Sequence, residues 1–442
     1  MIWPRHLAWA GRCQAGMVVL ALWAQLFDMG ESVWPLLGGV LAWVAAGVLF
    51  RQLRGLQRLQ VLLMLLVGVV LMAWALWRSP DVWATAWPQV LLANQALLMM
   101  LMSVSFLRLV AQIDQHDQQP TGPSALYRTL LGVHLLGAVI NFSSMMIMGE
   151  RMARDGKLTL WQALTLTRGF SLAAQWSPFF VAMGVALTNA PGASLWGLLL
   201  AGMPLAAMGL WLTAWQLKRL PDIAQMSGFP MQWKTLSMPG GLAAAVLLLH
   251  WLWPSGPILA LISGLALLMV IFTLSYRAWT SRRWVMLLIP LKRHVEQGLP
   301  GMSGEMLLFM AAGVLAAGIS AVVQVTGFSL GIEHFGANQA CLLLLLLLAM
   351  ALLGVHPVTG IATLSGLVAS VNPDPQLLGM TFLMSWSLGV NISAFSGTHL
   401  AMQGRFGVNA LTLVRHNSGF LMVMTCLNLL ALQLYGLLQG LN

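Results

Sequence analysis

The stretch Ala340 to Leu353, ACLLLLLLLAMALL, decides the fold class. It carries no charge and none of the apolar–polar alternation of a barrel strand, so it reads as a helix in apolar surroundings. The rest of the chain agrees with it. Of 442 residues, 59% are hydrophobic and 8% charged, so most of the surface must face something other than water. A bilayer-spanning helix needs roughly 20 mainly apolar residues. Such stretches recur near 14–32, 33–50, 57–77, 89–110, 160–190, 193–217, 239–254, 257–277, 303–326, 376–402 and 417–438, eleven in all. Backbone at membrane depth must satisfy its own hydrogen bonds, which leaves helices or a closed barrel, and the long apolar blocks reject the barrel. The expected fold is an all-α integral membrane protein with about 11 transmembrane helices.

The first apolar block follows Arg5 and Arg12 as a signal peptide would. It lacks a small-residue cleavage site and runs straight into another span, so it is read as a retained helix. Cys13, Cys341 and Cys426 are far apart and have no metal-ligand spacing, so they read as small apolar residues. The net charge of +10 needs no nucleic acid, because cytoplasmic loops of membrane proteins collect Lys and Arg. With the N-terminus inside, 20 of the 22 basic residues fall on the inner side, Lys218, Arg219 and Lys234 among them. Only Arg78 lies outside, and Arg168 sits within a span near its inner end, where snorkelling is expected. The chain is thus placed in a bacterial-type inner membrane with a cytoplasmic N-terminus and a periplasmic C-terminus.

Two apolar stretches do not fit as simple spans under this charge map. Residues 128–149 have bases at both ends and a polar middle at Asn141, Ser143 and Ser144. Residues 339–371 break at Gly354-Val355-His356-Pro357-Val358-Thr359-Gly360. Both read as re-entrant hairpins, which are tolerated where protein or a water-filled cavity surrounds the irregular backbone. A shared pattern, S-L-x-x-[Q/N]-x-S-x-F, follows each hairpin: Ser171 to Phe179 aligns without gaps on Ser387 to Phe395, an offset of 216 residues (387 − 171). The order of spans around the two hairpins is inverted in the membrane, so the halves read as an inverted repeat, a mark of secondary transporters. The organisation expected is peripheral transmembrane helices over 1–88, a first repeat over 89–234, connecting helices and a basic linker over 235–302, and a second repeat over 303–442. The linker at 278–302 reads as an interfacial helix or a solvated segment.

Polar residues at membrane depth are costly and mark function by default. Ser393-Ala394-Phe395-Ser396-Gly397-Thr398-His399 interrupts one helix with small and hydroxylated residues. Gln175, Ser177 and Pro178 do so in the other half. Open helix ends there would offer N–H groups and hydroxyls to a bound anion or coupling ion. The hairpin tips add Asn141, Ser143 and Ser144 from one side and His356 and Thr359 from the other, and Asn391 matches Gln175 in the repeat. His356 and His399 belong to the residue type able to carry a coupling proton or to pair with a substrate carboxylate. The expected substrate-binding set is therefore Asn141, Ser143, Gln175, Ser177, His356, Thr359, Asn391, Ser393, Ser396, Thr398 and His399. No enzyme constellation emerges: acids are sparse and lie in loops, and there is no phosphate-cradling loop and no histidine pair at metal spacing. The 29 Met and 20 Trp suit lipid-facing positions and need no cofactor.

The arrangement resembles the ion transporter superfamily, which includes the divalent anion:sodium symporters and arsenite permeases. His356-Pro357-Val358-Thr359-Gly360 resembles that family's hairpin tip, Ser393 to Phe406 its unwound helix, and Gln175 to Pro178 the matching break, so the likeness covers roughly 89–438. It implies an ion-coupled secondary transporter with substrate and cation between the tips, the coupling ion being Na+ or H+, with no other cofactor. The partners expected are a small anionic substrate and membrane lipid, with pairing into a homodimer open and no nucleic acid. Two other readings stand beside it: a polytopic enzyme acting on lipid-linked glycans, and a structural subunit of a membrane complex.

Overall fold

Several helices in this chain begin where a side chain takes one of the first free N–H groups. Thr159 accepts from the Gln162 N–H while Gln162 reaches back to the Thr159 N–H, a reciprocal cap. Asp374 accepts from Leu377 N–H at 2.7 Å, with Pro375 in the first turn, where its missing donor costs nothing. Asn409 caps the last helix in the same way.

The computed structural model describes residues 5–110, 119–219, 223–224, 226–231, 237–328, 331 and 334–441. Lys234, assigned to the inner face by its charge, lies outside them. Nineteen α-helices run along the described chain. The first are α1 (Arg5–Leu26), α2 (Val33–Leu49), α3 (Gly55–Arg78), α4 (Trp83–Leu91) and α5 (Gln95–Ser105). Next come α6 (Gly122–Ile140), α7 (Phe142–Met152), α8 (Leu160–Leu172), α9 (Val181–Asn189) and α10 (Leu195–Lys218). Then follow α11 (Ser237–Leu252), α12 (Ile258–Ser281), α13 (Val285–Arg293) and α14 (Ser303–Thr326). The last are α15 (Ala337–Leu352), α16 (Pro357–Val368), α17 (Pro375–Ile392), α18 (Gly397–Phe406) and α19 (Ala410–Gln439). No strand occurs among the described residues.

Among the described residues ten helical segments, rather than eleven, are long and apolar enough to cross a membrane, and they fit a multi-pass integral membrane protein. The difference has local causes. The stretch at 160–190 is divided into α8 and α9 by a turn containing Ser177 and Pro178, so neither piece reaches span length. The helix at 239–254, α11, has 16 residues. Conversely α6, which overlaps the stretch at 128–149, has 19.

Residues group into two compact units. One comprises Met1–Ala111, Gly241–Gly331 and Ala362–Ser370. Its tightest packing joins α3 and α14: a Cβ on Gly68 would lie 2.8 Å from the Val314 carbonyl oxygen, and one on Gly318 would strike the Gly68 carbonyl. Small residues that let backbones touch are the usual cement of membrane helices, where lipid provides no hydrophobic drive. The opposite side of α3 exposes Leu59, Leu62, Leu63, Leu66 and Val70, as a bilayer solvent permits. The basic linker is helical: α13 runs into a π-turn at His294–Gly298. It is fastened by Arg12 to Glu296 at 2.6 Å and by Gln14 Nε2 donating to the Leu299 carbonyl at 3.3 Å.

The other unit comprises Gln112–Gly240, Ile332–Ile361 and Val371–Asn442, so α16 divides between the two at Ile361. Its centre is α17, buried along nearly its whole length and packed by α8, α9, α10, α15 and α19. A helix apolar on every side belongs in the middle of a bundle. The polar side chains it carries, Thr381, Ser385, Ser387 and Asn391, are buried with it.

Candidate functional site

Two interrupted helices of the second unit repeat one local geometry. In the first, the Ser177 N–H donates to the Ala173 carbonyl at 3.0 Å and ends the helical run. The Ser177 hydroxyl then accepts from Phe179 N–H at 3.2 Å, and Phe180 N–H donates to the Ser177 carbonyl at 3.2 Å, after which α9 begins. In the second, Ser393 N–H donates to the Gly389 carbonyl at 3.3 Å, the Ser393 hydroxyl accepts from Phe395 N–H at 3.3 Å, and Ser396 N–H donates to the Ser393 carbonyl at 3.2 Å. Each of these three bonds has its counterpart 216 residues later, and the residues preceding α9 and α18, Phe180 and Ser396, also differ by 216. A serine hydroxyl that takes a nearby N–H competes with the helix ladder, which is why the pattern S-x-F stops both helices.

The first break gathers three predicted residues. The Ser177 hydroxyl donates to the Ala138 carbonyl, and Asn141 Nδ2 donates to the Phe179 carbonyl at 3.0 Å, so the bend between α6 and α7 is tied to the break. Asn141 itself has φ +51°, a conformation a side chain seldom adopts. Gln175, 1% exposed, has neither its Oε1 nor its Nε2 paired with any described residue. It lines a cavity of about 10 Å³ together with Leu198, Gly202, Met380, Leu383 and Met384. There α10 touches the break: a Cβ on Gly202 would fall on the Gln175 carbonyl oxygen. Ser143 lies half-buried in the first turn of α7 beside Ser144, whose hydroxyl donates to the Asn141 carbonyl at 2.8 Å.

The second break gathers Ser393, Ser396, Thr398 and His399. The Ser396 and Thr398 hydroxyls are 3.0 Å apart, and Ser396 accepts from the His399 N–H at 3.3 Å, capping α18. His399 is fully buried; its Nδ1 lies 2.9 Å from the Ser393 carbonyl, and its Nε2 has no partner among the described residues. Asn391 joins the two breaks: its Nδ2 donates to the Ser171 hydroxyl, and its Oδ1 has no partner among the described residues. His356 stands against Trp386 of α17, ring centroids 5.6 Å apart, and its Nδ1 accepts from Val358 N–H at 3.3 Å. Gly354 in the same bend abuts the Phe395 ring. Thr359 follows, half-buried, in the first turn of α16. Asn141 therefore meets the first break and Gly354 the second, and Asn391 with Ser171 links one break to the other.

Two further buried residues belong to this region. His134 donates from Nδ1 to the Gly169 carbonyl at 3.0 Å and accepts at Nε2 from the Trp176 indole at 3.1 Å. An indole only donates, so this histidine is held neutral with its proton on Nδ1. Its signal in the sequence was a histidine at membrane depth beside Leu135-Leu136-Gly137. Arg168 was expected to snorkel; instead it is 2% exposed. Its Nε donates to Asn417 Oδ1 at 2.7 Å, its Nη1 to Gln216 Oε1 at 2.8 Å and its Nη2 to the His416 carbonyl at 2.8 Å, with the Phe420 ring 4.6 Å away. Enclosure by α10 and α19 removes the path to the interface that snorkelling needs. Among the described residues, no three His, Cys, Asp or Glu side chains group to hold a metal ion.

Compared with known proteins, the chain matches no family model and no curated sequence.

Proposed function

We propose that this protein is a secondary active transporter of a small anionic solute, an organic acid or oxyanion, coupled to Na+ or H+ and working by alternating access in a bacterial-type inner membrane. The α6–α7 and α15–α16 pairs act as re-entrant hairpins of an inverted repeat, as in the ion transporter superfamily that the sequence resembles. One observation carries the reading: two helix breaks that share three hydrogen bonds at a spacing of 216 residues, with the side chains of Gln175 and Asn391 buried beside them and holding hydrogen-bonding atoms that no described residue pairs. Buried polar atoms left unpaired by the protein cost free energy, and a site that must bind and release a solute is where that cost is functional. Discontinuous helices supply the rest, since their ends present hydroxyls and N–H groups to an anion.

Purified protein in liposomes, tested with carboxylates and oxyanions under sodium and proton gradients, is expected to show gradient-dependent uptake of at least one. Replacement of Ser396 by Phe should abolish that uptake while the protein stays monodisperse and helical. Absence of any gradient-dependent flux across the panel, or full flux in the Ser396→Phe protein, would remove the transporter reading.

A further inference from the structure

A cleft of the second unit lies away from the two breaks, between α6 and α10, with a volume of about 630 Å³. That lies within the range of small-ligand pockets, roughly 300–1,000 Å³. Its walls are mostly apolar and aromatic, with Tyr127, Leu131, Trp211 and Trp215 among them. Its far end is formed by Lys218 and Arg219, where α10 stops. Trp211 is 66% exposed and stacks on Trp215 with centroids 6.2 Å apart, so the aromatic wall is open to the surroundings rather than packed in the core. The Arg219 guanidinium sits over the Trp215 ring, 3.6 Å from its centroid, which places a cation against the aromatic wall at the cleft end. The ion pairs among the described residues join Arg12 to Glu296 and Arg405 to Glu150, so neither Lys218 nor Arg219 is neutralised by a carboxylate among them.

We infer that this cleft is a binding site for one anionic phospholipid, with its phosphate on Lys218 and Arg219 and an acyl chain along Leu131, Trp211 and Trp215. The shape of the site is the shape of that molecule: two cations at one end and hydrocarbon-compatible walls beyond. A small soluble anion would use the cations and leave the apolar length uncovered. A zwitterionic lipid would fill the length but gain less from the paired charges. Bases between transmembrane helices are a recurrent means of holding acidic headgroups, and aromatic side chains at that depth suit the headgroup boundary.

Native mass spectrometry of the detergent-purified full chain, titrated with phosphatidylglycerol and with phosphatidylcholine of the same chain length, tests the assignment. One phosphatidylglycerol should be retained per protein, and Lys218→Gln/Arg219→Gln should weaken it roughly 30-fold, from about fivefold per cationic side chain at a membrane surface. Phosphatidylcholine should distinguish the two proteins far less. Arg282→Gln/Arg283→Gln, which removes the same charge from another exposed pair, should retain the lipid as wild type does. Leu131→Trp, at an exposed position, should displace the lipid with both bases intact. Equal phosphatidylglycerol affinity in wild type and the Lys218/Arg219 variant overturns the site. So does equal weakening by the Arg282/Arg283 variant, full affinity in Leu131→Trp, or displacement of the lipid by inorganic phosphate alone. All replaced side chains are exposed, and circular dichroism with gel filtration verifies the fold of each variant.

Discussion

Gln175→Met should make this protein more stable and less active at once. The Gln175 amide is 1% exposed and both of its polar atoms lack a partner among the described residues. A buried polar group without a hydrogen bond costs about 1–3 kcal/mol relative to one that is satisfied. Methionine is close in length and shape, keeps the contacts with Leu198, Met380 and Met384, and brings no polar atom. The gain expected is therefore about 1–3 kcal/mol. At roughly 2–4 °C per kcal/mol for a unit of 150–250 residues, that raises the unfolding midpoint by roughly 2–12 °C. Asn391→Leu is the control: it relieves one unpaired oxygen but breaks the bond to Ser171, so its net effect should stay within about 1 kcal/mol. Thermal unfolding of the solubilised protein, followed by circular dichroism, reads both. Under the proposed transport function, a solute taken up in liposomes should raise the wild-type midpoint by mass action and leave Gln175→Met unmoved. If Gln175→Met unfolds several degrees below wild type, the amide is hydrogen-bonded in the resting protein and the reasoning fails.

Arg168→Met leaves Asn417, Gln216 and the His416 carbonyl without their donor, and a loss of at least about 1–3 kcal/mol is expected in equilibrium unfolding. Arg168→Lys should recover only part of it, since one ammonium cannot reproduce three fork-like bonds; full recovery would refute the geometry. Gly202→Ala drives a Cβ into the Gln175 carbonyl, so a cost of at least about 1–3 kcal/mol is expected, and a neutral result would mean that α10 does not approach the break. Asn141→Ala keeps the φ of +51° and gives up the bond to Phe179, whereas Asn141→Gly gives up the bond but relieves the backbone. The glycine variant should therefore be the more stable of the two by about 1 kcal/mol, and the reverse order would count against the bend.

The membrane class and the position of both helix breaks were legible in the letters because they rest on local causes. Apolar length selects the bilayer, and Ser177 and Ser393 each stop a helix through a bond to an amide two residues away. What was not legible depends on partners distant in the chain. Arg168 looked like a residue reaching for the interface, and its acceptors Asn417 and Gln216 come from helices that no spacing rule brings near. His134 passed unnoticed for the same reason: its role needs the Trp176 indole and the Gly169 carbonyl. The linker was ambiguous between helix and solvated chain until Arg12 and Gln14 of α1 fastened it. His356 and His399 were grouped by residue type, whereas each is engaged by its own bend, His356 with Val358 and His399 with Ser393.

Arg168 also sets an electrical condition on the space around it. All three of its hydrogen-bond acceptors are neutral dipoles, and dipoles aim a charge without cancelling it. At an effective dielectric of about 20, a unit charge roughly 10 Å from the guanidinium feels about 1.7 kcal/mol. An anion at that distance is thus favoured roughly 15-fold over a neutral molecule, and a cation disfavoured by the same factor. Mobile salt screens such a field weakly when protein surrounds its source. Any ion that came within that distance would therefore be met according to its sign, before any side chain had touched it.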